Sequence, residues 1–315
     1  RSWHAEPVDR KDPTSAWITA RRKALRALHN VLGKSPYAAH AGSFTGGANG
    51  IYWVEIVGER PGALSIIANM TEGAKRVIPS TQVAVETELL HPLLRGRDVG
   101  RWSATPSAHI LMAQDPETRR GIAVETMEQK YPKAHAYLNK FEKILKSRAA
   151  FRRYFRETDP YWSMFNISPF TFAPWKVVWR EQASTFTAAV IGAHEKRPVV
   201  PDHKLMMVAA NSRAEANYLC AALNSAPASL AVAAYAISIQ MDTHILENVA
   251  VPQFEKGNRT HVRLAELSEA AHKAVAAGHA TEVKKVEEQI DLAAARLWHL
   301  SDDDVAEIKR SLEEA

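Results

Sequence analysis

The chain has 315 residues, of which 46% are hydrophobic and 24% are charged. This composition is typical of a folded globular protein and excludes a disordered tail. No apolar run approaches the roughly 20 residues that span a bilayer, and the opening residues are polar, so we expect neither a membrane anchor nor a signal peptide and predict a cytoplasmic protein. The single cysteine, Cys220, excludes an internal disulfide and predicts a buried thiol in the apolar run YLCAAL.

The net charge of +5 is unevenly distributed along the chain. Residues 262–315 hold seven Lys and Arg against twelve Asp and Glu, whereas residues 1–261 hold 33 basic against 23 acidic residues. A basic body with an acidic tail suits a protein that binds a polyanion. The sequence opens on Arg1 and not on Met, so we expect it to be part of a longer protein.

The first predicted element is a helix from Thr14 to Leu32, because Trp17, Ala20, Ala24 and Leu28 recur at helical spacing. A glycine-rich loop, HAGSFTGGANG, then leads into the strand-like run IYWVEIV. The loop lacks the Lys-Ser or Lys-Thr of a phosphate-binding loop. We interpret it as a turn at the edge of a sheet.

Short apolar runs after this loop predict a mixed sheet with packed helices. The expected elements are, in order, two strands within residues 63–88 separated by Gly73 and Pro79, the strand AHILMAQ, a helix after Pro132, a strand pair within 176–191, an edge strand over 199–208 and apolar helical elements over 215–235. The tail is helical, with Ser301 and Asp304 as the capping box of a last helix. We therefore predict an α+β fold: an N-terminal helical connector over residues 1–39, a mixed β-sheet domain over 40–256 and a C-terminal α-helical region over 257–315.

Three arginines lie close together in LLHPLLRGRDVGRW, residues 89–102: Arg95, Arg97 and Arg101. Each guanidinium offers two parallel N–H donors, which suit phosphate oxygens or the edge of a guanine. The alternative is a solvated turn in which Asp98 partly neutralises its neighbours. We call residues 95–101 the arginine loop.

Residues 147–180 are the most aromatic and most basic part of the chain. Cations interleaved with rings suit a nucleic-acid surface, since cations pair with phosphates and rings stack on unstacked bases. The alternative is a core of rings with a basic rim, which we favour for Phe165, Phe172 and Trp179. Exposure is expected for three rings that lie near a proline in a loop, namely Tyr161, Trp162 and Trp175.

These motifs resemble the target-recognition region of N6-adenine DNA methyltransferases of the TaqI-like and type IIG restriction-modification kind. The resemblance covers roughly residues 40–310 and rests on LLRGRDVGRW, on Thr-Gly-x-x-x-Gly before a strand, on the helix end Leu-Asn-Ser and on IDLAAARLWHLSDDDVAEI. It departs from the family at Trp298-His299, where Tyr-Gly is common. It implies that residues 40–256 form a DNA target-recognition domain, in which the Leu-Asn-Ser helix packs on the sheet.

The resemblance implies double-stranded DNA as the partner. Separately, we expect the positive groups and flat rings of residues 1–261 to converge on a single cleft wide enough for a duplex. DNA contacts are then expected from Thr45, Asn49, Arg95, Arg97, Arg101, Arg152, Arg153, Trp162, Trp175, Lys176, Arg180 and Lys204. Further expected partners are an N-terminal methyltransferase domain of the same parent protein and a second copy of the chain, bound through the C-terminal helices.

An adenine-N6 methyltransferase needs a loop for S-adenosylmethionine and an Asn/Asp-Pro-Pro-aromatic motif that holds the flipped base. Neither motif is present in the sequence. We therefore expect this chain to be inactive alone, with no catalytic or metal-binding residue, and S-adenosylmethionine to bind a catalytic domain outside it. Pro201-Asp202 lacks the nearby Asp/Glu-x-Lys of a common nuclease class, and the thirteen histidines lack the close pairs of zinc sites.

Two functional hypotheses follow from the sequence. The first is the sequence-specific DNA-binding part of an adenine-specific DNA methyltransferase, in a restriction-modification or phage-defence system. The alternative is a protein-interaction and dimerisation module, whose basic aromatic face docks an acidic partner. Salt dependence of duplex binding separates the two.

Overall fold

The computed structural model describes residues 3–8, 11–15, 17–72, 76–235 and 241–314; Gly73, which we expected to separate two strands, lies outside them. The strands are β1 (His4–Pro7), β2 (Trp17–Ala20), β3 (His40–Ala41), β4 (Trp53–Arg60), β5 (Leu64–Asn69), β6 (Gln82–Glu86), β7 (Leu90–Leu94), β8 (Val99–Gly100), β9 (Ser103–Ala104), β10 (Ala108–Leu111), β11 (Gln114–Asp115), β12 (Arg120–Gly121), β13 (Trp175–Arg180), β14 (Ala188–Ile191), β15 (Val200–Pro201) and β16 (Leu205–Ala210). The α-helices are α1 (Arg22–Val31), α2 (Asn49–Tyr52), α3 (Val124–Lys130), α4 (Pro132–Asn139), α5 (Glu142–Lys146), α6 (Ala149–Tyr154), α7 (Arg213–Asn224), α8 (Ala226–Tyr235), α9 (Ile245–Asn248), α10 (Arg259–Ala276), α11 (Ala280–Ala295) and α12 (Asp302–Glu314).

Two sheets form the body of the molecule and confirm the predicted α+β class. The larger sheet has the strand order β15-β7-β10-β4-β5-β6, and the smaller has the order β14-β13-β16-β3. All neighbours in these two sheets are antiparallel except β15 and β7. The two strands expected within residues 63–88 are β5 and β6, and the strand pair expected within residues 176–191 is β13 and β14.

The smaller sheet is buried on both faces, because its central strands are apolar at successive positions. In β13, Val177 and Trp179 belong to the core formed with the helices, whereas Val178 belongs to a separate cluster that includes Leu94 of the larger sheet. Side chains alternate between the faces of a strand with a period of two. A continuous apolar run therefore fits a strand with a core on each side.

The largest hydrophobic core lies between the smaller sheet and helices from both ends of the chain. It includes Leu28 of α1, Leu219 of α7, Leu264 of α10, Ile290 of α11 and Ile308 of α12, all of them buried. Residues from all three predicted segments thus share one core. The domain boundaries at residues 39 and 256 stay predictions.

A second core holds the larger sheet against the helices that follow it. Met127 of α3, Tyr137 of α4 and Leu145 of α5 pack with Ile51 and Ile110. The helix predicted after Pro132 is present as α4, which begins at that proline. Proline suits the first helical position, because the N–H that it lacks has no partner there.

The helix predicted from Thr14 to Leu32 is wrong in its first part. Residues Trp17–Ala20 form β2, which pairs antiparallel with β1, and the helix begins only at Arg22. Ile18 and Ala20 are buried, while Trp17 is 56% exposed. These positions fit the alternation of a strand as well as the spacing of a helix, so periodicity alone could not separate the two.

The C-terminal helices pack on the body of the same chain and are capped as predicted. The Asp304 N–H donates to Ser301 Oγ, and the Ser301 N–H donates to the Asp304 carboxylate at 2.9 Å. Helices α10, α11 and α12 contribute buried residues to the largest core. A homodimer formed through these helices stays a prediction.

Cys220 of α7 is fully buried, as expected. Burial raises the pKa of its thiol to about 12, so the thiol stays protonated. Among the helices that the structure describes, none combines the length and the apolar character needed to cross a membrane.

Candidate nucleic-acid interface

The arginine loop is not a cluster of three exposed guanidinium groups. Arg95 is only 7% exposed and donates to the hydroxyl and the carbonyl oxygen of Ser107. The Asp98 carboxylate accepts the backbone N–H of Arg95 at 2.8 Å and lies 3.5 Å from its Nε. Arg95 therefore holds the loop in shape, and as placed it does not present its donors to a base.

Arg101 connects the arginine loop to the C-terminal helices. Its guanidinium pairs with Glu287 of α11 and donates to the Asn224 carbonyl oxygen at 2.7 Å. The indole N–H of Trp102 donates to the same Glu287 carboxylate at 2.8 Å. Two donors of the motif are thus used within the chain.

The Leu-Asn-Ser helix end packs on the smaller sheet, as the resemblance implied. The side-chain amide of Asn224 accepts the Ala188 N–H and donates to the Ala188 carbonyl oxygen, both at 2.8 Å. The amide thereby satisfies both backbone groups of a residue in β14. At the later point of departure from the family, His299 has a φ of 53°, the left-handed conformation that glycine adopts most readily.

Arg97 is the exposed cation of the arginine loop, with 71% of its side chain accessible. Its neighbour Gly96 lies against Lys204, which is half exposed and pairs with Glu181 at 3.2 Å. Beneath them, the Asp202 carboxylate accepts the Lys204 N–H at 2.8 Å, and burial raises the pKa of Asp202 to about 6. Arg97 and Lys204 therefore lie on one surface.

Thr45 and Asn49 close the turn before α2. Thr45 is buried, and its hydroxyl donates to Asn49 Oδ1 and accepts the Ala48 N–H at 3.2 Å. Asn49 is partly buried. Their expected contact with the DNA backbone stays a prediction. Because Thr45 is buried, such a contact would have to be made by the exposed atoms of this turn.

Arg148 holds the glycine-rich loop against the aromatic segment. It is completely buried and donates to four backbone carbonyl oxygens, those of Thr45 (2.8 Å), Leu145 (2.9 Å), Tyr161 (2.6 Å) and Ser163 (2.9 Å). No carboxylate of a described residue pairs with it. Arg148 lies within the basic aromatic segment 147–180, yet its role in the structure is to join three segments.

The expected exposure of Trp162 is wrong. The ring is fully buried, and its N–H donates to the Ile122 carbonyl oxygen at 3.0 Å. Gly121 of the β11–β12 hairpin lies so close that a Cβ there would be 2.5 Å from the ring. The hairpin covers the loop of Trp162, which we expected to be exposed because it contains a proline. As placed, Trp162 offers no face to DNA.

Lys176 is also buried, with 1% of its surface exposed. Its ammonium donates to the carbonyl oxygens of Ala173 and Val199, at 2.6 Å and 3.0 Å. Burial lowers the pKa of Lys176 to about 7, because the charged form loses its hydration. This lysine is part of the interior, and its expected position on a phosphate is wrong for the structure as it stands.

The other residues of the aromatic segment have mixed environments. Trp175 is partly buried under the guanidinium of Arg213, whose Cζ lies 5.9 Å from its ring centroid. Arg180 is partly buried, and its Nε has no hydrogen-bond partner among the described residues. Trp179 is buried as predicted, whereas Phe165 and Phe172 are only partly buried.

Helix α6 carries exposed cations beside an exposed ring. Arg152 and Arg153 are both exposed, Tyr154 is 58% exposed, and the Arg153 guanidinium lies 5.1 Å from the Tyr154 ring centroid. Tyr154 also meets Phe165 edge-on, at 5.5 Å between centroids. The helix therefore presents charge and an aromatic face together.

A row of ring contacts leads from α6 to Lys204. Phe165 lies 5.8 Å from Phe44, and Phe44 lies 4.8 Å from His203, which precedes Lys204. We call this surface the basic aromatic ridge and define it by Phe44, Arg97, Arg119, Arg120, Arg153, Tyr154, His203 and Lys204.

Sequence reasoning missed Arg119 and Arg120, which close the β11–β12 hairpin. Arg119 is exposed with a φ of 56°, while Arg120 pairs with Asp159 at 3.3 Å and lies 5.0 Å from the Phe155 ring centroid. Two adjacent arginines in the turn sequence DPETRRG were the available signal.

The expected convergence of the positive groups on one cleft is wrong, because Arg95 and Lys176 are buried and Arg101 pairs with α11. Arg97, Arg153 and Lys204 remain on the basic aromatic ridge. DNA contact by any predicted residue stays a prediction. Within the described part of the chain, no three His, Cys, Asp or Glu side chains are grouped so that they could hold a metal ion.

Comparison with known proteins finds similarity in fold. No family model matches the sequence, and no curated protein matches it either. Among solved structures, the chain is similar to the Type IIL restriction-modification enzyme MmeI, determined in complex with DNA, with a TM-score of 0.52 and 10% sequence identity. The match covers 90% of this chain and 36% of that enzyme. This chain is thus similar in fold to about one third of the length of that enzyme.

Proposed function

We propose that this chain is the DNA target-recognition part of a longer protein that serves a restriction-modification or phage-defence system. The longer protein would methylate adenine at N6. The observation that carries the proposal is the basic aromatic ridge, where Arg97, Arg119, Arg153 and Lys204 are exposed beside Tyr154. The fold similarity to an enzyme that was determined with DNA supports it. Fold alone does not fix function, so the proposal depends on the site.

The ridge has the chemistry that a DNA backbone requires. Arginine and lysine that reach phosphates release counterions and supply affinity without regard to sequence. Arg97 can offer its guanidinium for a bidentate contact, since 71% of its side chain is exposed and its ion pair with Asp98 is long, at 3.9 Å. Sequence choice would then come from base-edge contacts near Arg97 and from the shape of the duplex.

Adenine methylation would take place in a domain outside this chain. That domain would bind S-adenosylmethionine and hold the flipped adenine, because the sequence here lacks the motifs for both. The recognition part would position the duplex for it. Calorimetry of this chain with S-adenosylmethionine should detect no binding, and measurable binding would refute this division of roles.

Salt titration of duplex binding tests the proposal. Fluorescence anisotropy with a labelled duplex should show that affinity falls steeply between about 50 and 200 mM salt. Arg97→Ala and Lys204→Ala should each weaken binding and reduce the slope of log K against log salt by about 0.9. Arg263→Ala on α10 removes a half-exposed arginine that is not among the residues of the ridge, and it should change neither quantity.

Selection from a pool of random duplexes tests sequence recognition. Enrichment of a motif that contains adenine is expected, and Arg97→Ala should relax or change that motif. Affinity that is absent, or nearly constant across the salt range, would refute DNA recognition and favour docking of an acidic protein on the ridge.

A further inference from the structure

A cleft of about 740 Å³ opens on the basic aromatic ridge beside α6. Sites for small ligands have volumes of about 300–1,000 Å³. Half of the residues that line the cleft carry rings, namely His40, Phe44, Tyr154, Phe155, Phe165 and Phe170. It therefore has the size and the lining of a site for a planar molecule.

One stacked pair of rings gives the cleft a flat surface: His40 lies on Phe170 with 3.8 Å between centroids and 5° between planes. Phe155 and Phe165 add a second pair of rings, 4.7 Å apart and tilted by 48°. Burial, together with the charge of Arg119, lowers the pKa of His40. The imidazole is thus neutral at physiological pH. The stacked pair therefore adds no charge to the cleft beside that of Arg119.

Two of the polar side chains that line the same cleft are exposed to solvent. Arg119 and Asn166 are both exposed, and both have a φ of 56°, a left-handed conformation that non-glycine residues seldom adopt. Such conformations concentrate at ligand-binding sites. The Asn166 amide makes one long hydrogen bond, 3.4 Å to the Gly42 carbonyl oxygen, and Arg119 has no ion-pair partner among the described residues.

We propose that this cleft binds one unstacked nucleotide. Its base would stack on the rings, its base edge would hydrogen-bond the Asn166 amide and its phosphate would pair with Arg119. Stacking on rings accepts every base, because each has a π face. The proposal deepens the proposed function and rests on it, since the nucleotide would belong to a DNA strand on the ridge. A free mononucleotide has the same chemistry, and the experiment separates the two sources.

The experiment uses the full chain and two duplexes. One duplex contains a single unpaired 2-aminopurine nucleotide, and the other lacks this nucleotide but is otherwise identical. The unpaired nucleotide should raise affinity at least about fivefold, and its fluorescence should fall as it stacks on the rings. Tyr154→Ala should abolish both effects. Asn166→Gly, which keeps the left-handed backbone, should reduce the gain in affinity. Trp17→Ala, which removes an exposed ring in β2, should retain both effects.

Equal affinity for both duplexes, with unchanged fluorescence, would overturn the cleft assignment and leave the proposed function intact. Failure of both duplexes to bind counts against the proposed function instead, and free 2-aminopurine nucleotide then decides the cleft. Binding of that nucleotide, weakened by Arg119→Ala but not by Arg259→Ala, supports a nucleotide site; absence of binding refutes it. The corresponding nucleoside, which lacks the phosphate, should bind Arg119→Ala as well as it binds the natural chain.

Discussion

Replacing Arg148 tests how the ridge is held together. Its guanidinium donates to four carbonyl oxygens in three segments, three of them through buried hydrogen bonds and the fourth, to Tyr161, through a partly buried one. No carboxylate of a described residue pairs with it. Each buried acceptor left without a donor costs about 1–3 kcal/mol. Removing the charge offsets part of this loss, because a buried guanidinium costs desolvation free energy and a methionine side chain does not. We therefore expect Arg148→Met to lower the free energy of unfolding by about 3–5 kcal/mol.

Urea denaturation followed by tryptophan fluorescence measures this loss, with circular dichroism to show that the variant folds. Arg148→Lys keeps the charge but loses the planar fork, so about half of the loss is expected. Arg152→Met removes an exposed arginine four residues along the chain and should stay within about 0.5 kcal/mol of the natural protein. If Arg148→Met unfolds at the same urea concentration as Arg152→Met, the four hydrogen bonds do not stabilise the fold as argued.

Three further predictions concern single residues of the interior. Burial lowers the pKa of Lys176 from 10.5 to about 7, so between those pH values the unfolded chain binds more protons and the free energy of unfolding rises with pH. In urea titrations at several pH values, Lys176→Met should lose this rise. An equal dependence of stability on pH in both proteins would contradict the prediction. Glu287→Ala removes the acceptor shared by Arg101 and Trp102 and should lower the free energy of unfolding by about 2–3 kcal/mol, measured by thermal unfolding, while an unchanged midpoint would show that the contact contributes nothing. A Cβ at residue 42 would lie 2.0 Å from a backbone oxygen, so Gly42→Ala should lower the free energy of unfolding by at least about 3 kcal/mol. Unfolding followed by circular dichroism measures this, and unchanged stability would refute the close approach.

Much of the fold could be predicted from hydrophobic spacing and helix-end chemistry. The strands β5, β6, β13 and β14 are continuous or alternating apolar runs, and the last helix begins at the predicted capping box of Ser301 and Asp304. The strand β2 was missed, because four residues are too few to distinguish a period of two from one of 3.6. Its partner, β1, lies ten residues earlier and gave no local signal.

The site was harder to predict, because arginine can act in the interior or at the surface. Arg95, Arg97 and Arg101 occupy similar positions in the sequence, yet only Arg97 is largely exposed. What separates them is the acceptors supplied by distant residues, such as Glu287, which no local pattern encodes. The same holds for Trp162, whose ring is covered by a hairpin that lies about 40 residues earlier.

The shared core of the three segments has a practical consequence for protein engineering. A graft limited to residues 40–256 would separate β13 and β16 from α1, α10, α11 and α12, and would leave a broad apolar face in water. Such a hybrid should aggregate. Transfer of the proposed DNA specificity to a restriction-modification enzyme would have to move both flanking helical regions together with the sheets, or else exchange only exposed loop side chains such as Arg97.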